Sequence, residues 1–235
     1  MRKYAFLAYP FFLYLIFSIC TFPLLAFARS KGADLMLVNA LGCLCMGLAY
    51  VKRKRSKITE LGPIPWTGIF LVTASLIVPV AALSFLLIGD VFNELKHSVF
   101  LINCMVSFGV VAVCEELLFR EFLTVRMKSI HMPAWLIVLL PAFLFSLCHR
   151  PESVSLLIQR FILGVALSFL YRKKGLLLCI PVHWTYNIII YTFHTTLPHV
   201  TLVYGAPHAA LHTVLSLLLV LGMVIVFYSN RSIFA

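Results

Sequence analysis

Acidic side chains are scarce in this sequence. Eight Asp and Glu stand among 235 residues, against nineteen Lys and Arg. Charge of either sign amounts to 11%, while 62% of the chain is hydrophobic. A soluble domain carries about 25% charged and about 45–50% apolar residues. The shortage of charge excludes a water-soluble globular domain, and the hydropathy excludes a disordered chain. The net charge of +11 would otherwise suggest nucleic acid as a partner. In so apolar a chain it is better explained by basic loops flanking membrane spans, and no nucleic-acid partner is expected. Cys-x-x-Cys pairs, an H-E-x-x-H helix, internal repeats, low-complexity tracts and interdomain linkers are also missing. The seven cysteines, at 20, 43, 45, 104, 114, 148 and 179, all fall in apolar stretches and are expected to pack as small apolar residues.

What the chain does have is long apolar runs. A spanning helix needs about 20 apolar residues. Eight segments qualify, at 5–27, 33–51, 66–89, 98–119, 133–149, 153–171, 176–195 and 208–228. The runs are continuous rather than alternating, which excludes a membrane β-barrel. The expected fold is all-α: one integral membrane domain over 1–235, a bundle of about eight transmembrane helices in a cell membrane. Little chain remains outside the bilayer, so any chemistry must come from residues within the spans.

Met1-Arg2-Lys3 before an apolar run resembles a secretory signal, and Ala26-Phe27-Ala28 resembles its cleavage site. The run is about twice a signal core of about 7–15 residues, so a retained first span is expected. With the amino terminus inside, thirteen Lys and Arg fall on the cytoplasmic side and four on the other. That bias places both termini in the cytoplasm. The cluster at 52–57 is explained by topology, with binding of anionic lipid as the sharper alternative.

Most of the acidic residues lie at or near loops. Glu115 and Glu116 do not: they sit between Val110-Val111-Ala112-Val113-Cys114 and Leu117-Leu118-Phe119. A carboxylate in a membrane helix costs a few kcal/mol even on gentle scales, and packing alone would be served as well by apolar residues. Glu116 and Arg120 are i, i+4 and share a face. Glu115 is rotated about 100° away and lacks that partner, which leaves it available as a general base. Glu121 and Arg126 continue toward the cytoplasmic edge and are expected to be solvated. The same direction of the span favours the cytoplasmic side for the site. Two further polar pairs recur. Phe145 and His149 close span five before Arg150-Pro151, and His183 and Asn187 lie one turn apart in span seven. Two histidines, an asparagine and two carboxylates on three spans can hydrogen-bond one another only by converging, and convergence makes a site.

Glu115-Glu116-Leu117-Leu118-Phe119-Arg120 fits E-E-x-x-x-R, Phe145 to His149 fits F-x-x-x-H, and His183 to Asn187 fits H-x-x-x-N. In order and spacing these resemble the CPBP family, the CAAX-protease and bacteriocin-processing (Abi) intramembrane proteases. The stretch from Gln159 to Gly175 is similar to the family's link between its second and third motifs. The resemblance covers about 98–195, a CPBP-like catalytic core. It implies an eight-helix endopeptidase that hydrolyses peptide bonds in or near the bilayer, on membrane-associated or lipid-modified peptides or proteins. It also implies residue roles. Glu115 activates water with His149, His183 and Asn187 stabilise the oxyanion, and Glu116, Arg120 and Phe145 support the site.

Amide hydrolysis needs a base for water, donors for the oxyanion and an acid for the leaving amine. No Ser, Cys or Thr stands in an evident nucleophile pairing, although Cys114 and Cys148 adjoin motif residues. No cofactor is expected. The alternative is zinc held by Glu115, His149 and His183 as three protein ligands plus water, but Asn187 suits an oxyanion donor better than a ligand. His194, His199, His208 and His212 form a second group, expected to be exposed on the non-cytoplasmic side. Two other functions compete: a non-catalytic immunity or scaffold protein of the same fold, and a proton-coupled transporter. Paired broken helices, the mark of many transporters, are missing from corresponding halves.

Overall fold

The computed structural model describes residues 2–32, 35–53, 97–149 and 154–204, with isolated positions at 66–67, 70, 74, 217, 221 and 228. Every regular element among them is helical. A 3-10 turn over Arg2–Ala8 leads into α1, Tyr9–Ser30. Helix α2 is Leu35–Arg53. Helix α3, over 97–129, alternates between α- and π-helical turns, with π segments at Asn103–Ser107 and Leu117–Phe122. Helix α4 is Ala134–Cys148, α5 is Val154–Lys174 and α6 is Leu176–Tyr204.

Six of the eight expected spans thus coincide with helices. The spans expected at 66–89 and 208–228 lie almost wholly outside the described residues. Span four runs ten residues past its expected end to Ser129, and span seven continues to Tyr204. The polar residues Arg126 and Lys128 do not interrupt α3, because Lys and Arg in a last turn favour the helix dipole. Among the described residues, two helices, Tyr4–Ser30 and Ser98–Ser129, are long and apolar enough to cross a membrane. Outward residues of α1 are large and apolar, among them Phe12, Ile19 and Phe22. That face suits lipid rather than water.

Short connections make neighbours antiparallel. Gly175 alone joins α5 to α6. Its φ of 68° is the left-handed conformation glycine adopts without penalty, and its N–H bonds the Tyr171 carbonyl at 2.9 Å, closing the helix. Gly164 of α5 packs directly on Ala142 of α4, where an added Cβ would stand 2.9 Å from the Ala142 Cα. Small residues let membrane helices approach this closely. Tyr9 meets Phe122, Tyr171 meets Glu121, Phe100 stacks on Tyr191, and Phe108 meets the same ring at a tilt. These contacts sort the helix ends into two poles. One holds the start of α1 and the ends of α2, α3 and α5. The other holds the starts of α2, α3 and α5 and the ends of α1, α4 and α6.

Candidate active site

Glu115 and Glu116 close the α-helical stretch of α3 just before its second π segment. Such wide turns inside α-helices are frequent at functional sites. Both carboxylates are buried, Glu116 completely. The expected i, i+4 pair is present: Arg120 Nη1 lies 3.1 Å from Glu116 Oε1, and both side chains are fully buried. The guanidinium also donates from Nη2 to the Gly164 carbonyl at 3.4 Å and lies 4.6 Å from the centre of the Phe145 ring. A cation over an aromatic face is held by the ring's quadrupole.

His183 of α6 reaches Glu116 with Nδ1, 2.7 Å from Oε1. Its Nε2 points toward Glu115, 3.6 Å from Oε2. His149, the residue that caps α4, places Nδ1 2.7 Å from the Phe145 carbonyl. A carbonyl only accepts, so Nδ1 carries the proton there. That turns Nε2 toward Glu115 Oε1, 3.3 Å away. Two imidazoles from two helices therefore present their Nε2 atoms to one carboxylate. Phe145 is the packing hub that orients them, with ring centres 4.4 Å from His149 and 5.6 Å from His183.

Tyr14 of α1 completes this group, and no motif pointed to it. Its hydroxyl donates to Glu115 Oε1 at 3.0 Å. A buried tyrosine hydroxyl requires a partner, so a tyrosine inside an apolar span is a usable signal, though one that does not say which span supplies the acceptor. With Oε1 engaged, Glu115 Oε2 remains as a buried oxygen that makes no hydrogen bond.

Glu115, His149, His183 and Asn187 all line one cavity of about 750 Å³. Its wall takes residues 14–25 of α1, 36–43 of α2, 107–115 of α3, 156–163 of α5 and 183–191 of α6, with Phe145, Cys148 and His149 of α4. Polar side chains recur along it, among them Ser18, Thr21, Asn39, Ser107 and Gln159. Several are already tied down: Gln159 donates to the Tyr186 hydroxyl at 2.5 Å, and Ser107 to the Asn103 side chain at 2.9 Å. Trp184 donates to the Cys104 carbonyl at 2.6 Å, within the first π segment, where an altered helical register leaves carbonyls accessible.

One expectation is corrected. Glu121 is buried rather than solvated, and it accepts a hydrogen bond from the Tyr171 hydroxyl at 2.5 Å. The sequence places it near a basic helix end, but α5 lies against that turn of α3 and covers it. Arg126 is exposed as expected. Cys43, Cys104, Cys114, Cys148 and Cys179 are buried thiols outside any disulfide, in keeping with a packing role. Cys20 and Cys45, and the histidines at 194, 199, 208 and 212, lie outside the described side chains. Among the described residues no group of three or more His, Cys, Asp or Glu is arranged to hold a metal ion.

The fold and site define a helical bundle with a buried carboxylate–imidazole centre at one end of an internal cavity. Residues 97–189 match the family model described as "Type II CAAX prenyl endopeptidase Rce1-like", so this stretch of the chain is similar to the CPBP/CAAX proteases. The family is one of membrane-embedded proteases, and the two long apolar helices agree with a membrane setting. No curated protein and no solved structure matches the chain.

Proposed function

We propose that this protein is a multi-pass intramembrane endopeptidase of a cell membrane, hydrolysing peptide bonds with water activated by Glu115 and His149. The observation that carries the proposal is the Glu115 carboxylate in the cavity wall, with His149 Nε2 3.3 Å from its Oε1 and His183 Nε2 3.6 Å from its Oε2. Water held by Glu115 and His149 gives its proton to Glu115, and its oxygen bonds to the scissile carbonyl carbon. The carbonyl electron pair moves onto oxygen, where Asn187 and a protonated His183 donate to the oxyanion. Collapse of the intermediate breaks the C–N bond, and the departing amine takes the proton back from Glu115. Glu116 and Arg120 hold His183 in place from behind. Substrates are membrane-associated or lipid-modified polypeptides, the class to which the family description points.

Purified protein in lipid–detergent micelles is expected to cleave a prenylated CAAX peptide. Glu115→Gln and His149→Ala should each abolish cleavage and leave the thermal unfolding curve in place. Full turnover by either variant would overturn the mechanism. The proposed reaction uses no metal, so chelation should leave the rate unchanged. Activity lost to a chelator and restored by zinc would replace this scheme with the metal-dependent one.

A further inference from the structure

The position of the cavity along the bundle carries information about where substrate comes from. On each of α1, α2, α3, α5 and α6, the wall runs from the level of Glu115 toward one pole only. That pole holds Met36, Leu156 and Tyr191. Toward the other pole, the space below Glu115 is filled. Phe119, Leu123, Met127, Leu167 and Leu178 are buried to within 0% of exposure. A polypeptide can reach the centre along the cavity but not through that plug.

The two poles differ in charge. The plugged pole carries Arg2, Lys52, Arg53, Arg126, Lys128 and the Arg172-Lys173-Lys174 run at the end of α5. Among the described residues, the ends of helices at the open pole carry Arg29 and Lys31 alone. An excess of Lys and Arg at helix ends marks the cytoplasmic side.

From these two observations together we infer that the cavity opens to the non-cytoplasmic face of the membrane, so that the substrate is a polypeptide segment presented from the outer or luminal side. This rests on the peptidase reading above and narrows it. The substrate class is the exported end of a membrane-anchored or lipid-modified polypeptide rather than the tail of a cytosolic protein. The favoured cytoplasmic placement of the site from the sequence changes for a physical reason. Helix α3 extends to Ser129, which moves Glu115 away from the basic end, and the packed side chains then seal that end.

The test uses the full-length protein in right-side-out and inverted vesicles from expressing cells. Met36→Cys, at the open pole, and Lys128→Cys, at the plugged pole, are each probed with a membrane-impermeant maleimide. The five described native cysteines are buried, which keeps the background low. The Met36→Cys thiol should label in right-side-out vesicles and the Lys128→Cys thiol in inverted ones. The reverse pattern, or labelling of both from one face, overturns the inference. In parallel, a prenylated CAAX peptide with a charged, membrane-impermeant amino end is added outside both preparations. Cleavage is expected in right-side-out vesicles and lost in inverted ones, with both equal after detergent. Cleavage confined to inverted vesicles overturns the inference. If detergent-opened vesicles cleave nothing, the peptidase reading falls, and the labelling still decides the orientation.

Discussion

The two poles of the bundle are built from the same helices and yet are opposites. Below Glu115, α3, α5 and α6 meet through Phe119, Leu123, Leu167, Leu178 and Val182, all wholly buried and all apolar. Above it, the same three helices face a cavity edged with Ser107, Gln159 and Asn187. The apolar pole supplies rigidity, since close-packed side chains transmit rather than absorb displacement. The polar pole supplies room for water and for an extended chain. Glu115 and Glu116 sit at the boundary, and their unequal surroundings follow from it. Glu116 is enclosed between Arg120 and His183 on the packed side, whereas Glu115 lines the cavity. The different roles proposed for the two adjacent carboxylates follow from which pole each one faces.

The comparison is broken most severely by removing the proposed base at the boundary. Glu115→Gln should lower turnover of a membrane-anchored peptide by about 10²–10⁴-fold, the usual yield of general acid–base catalysis, with folding intact by thermal melt. Asn187→Ala removes the proposed oxyanion donor from the open side and should cost about 10²–10³ in kcat with little change in KM. An equal loss in both constants would instead make Asn187 a substrate-binding residue. Gly164→Val attacks the packed side, because a side chain there collides with the Ala142 backbone. Overpacking of this kind costs about 1–3 kcal/mol, read as a lowered unfolding midpoint in detergent. Activity at low temperature should survive if the two poles are as separate as they look. Tyr14→Phe gives the smallest effect. It deletes one hydrogen bond to a charged group, worth about 1.5–3 kcal/mol, and should lower kcat about tenfold or somewhat more. An infrared difference spectrum should show a shift in the carboxyl band that Glu115→Gln removes. An unshifted band would mean that Tyr14 does not hold Glu115.

Much of the site was legible because helical spacing is a local property. The Glu116–Arg120 pair, the one-turn separation of His183 and Asn187, and the end of α4 at His149 all follow from residue order and 3.6 residues per turn. The family match over 97–189 takes in all three motifs. Tyr14 was not legible, since its partner lies 101 residues away on another helix. Glu121 was misjudged for the same reason, its cover coming from Tyr171 of α5.

The sequence by itself determined that the chain is helical and apolar enough for a membrane, where its basic ends lie, and which three segments carry reactive side chains. These depend on composition and on contacts within one helix. Tertiary structure alone decided which carboxylate is enclosed and which faces the cavity, that a tyrosine of α1 holds the latter, and which pole is sealed. Those outcomes depend on how helices far apart in sequence are laid against one another. Their approach is set by small residues such as Gly164 and by the π turns of α3, which change the facing of every side chain beyond them.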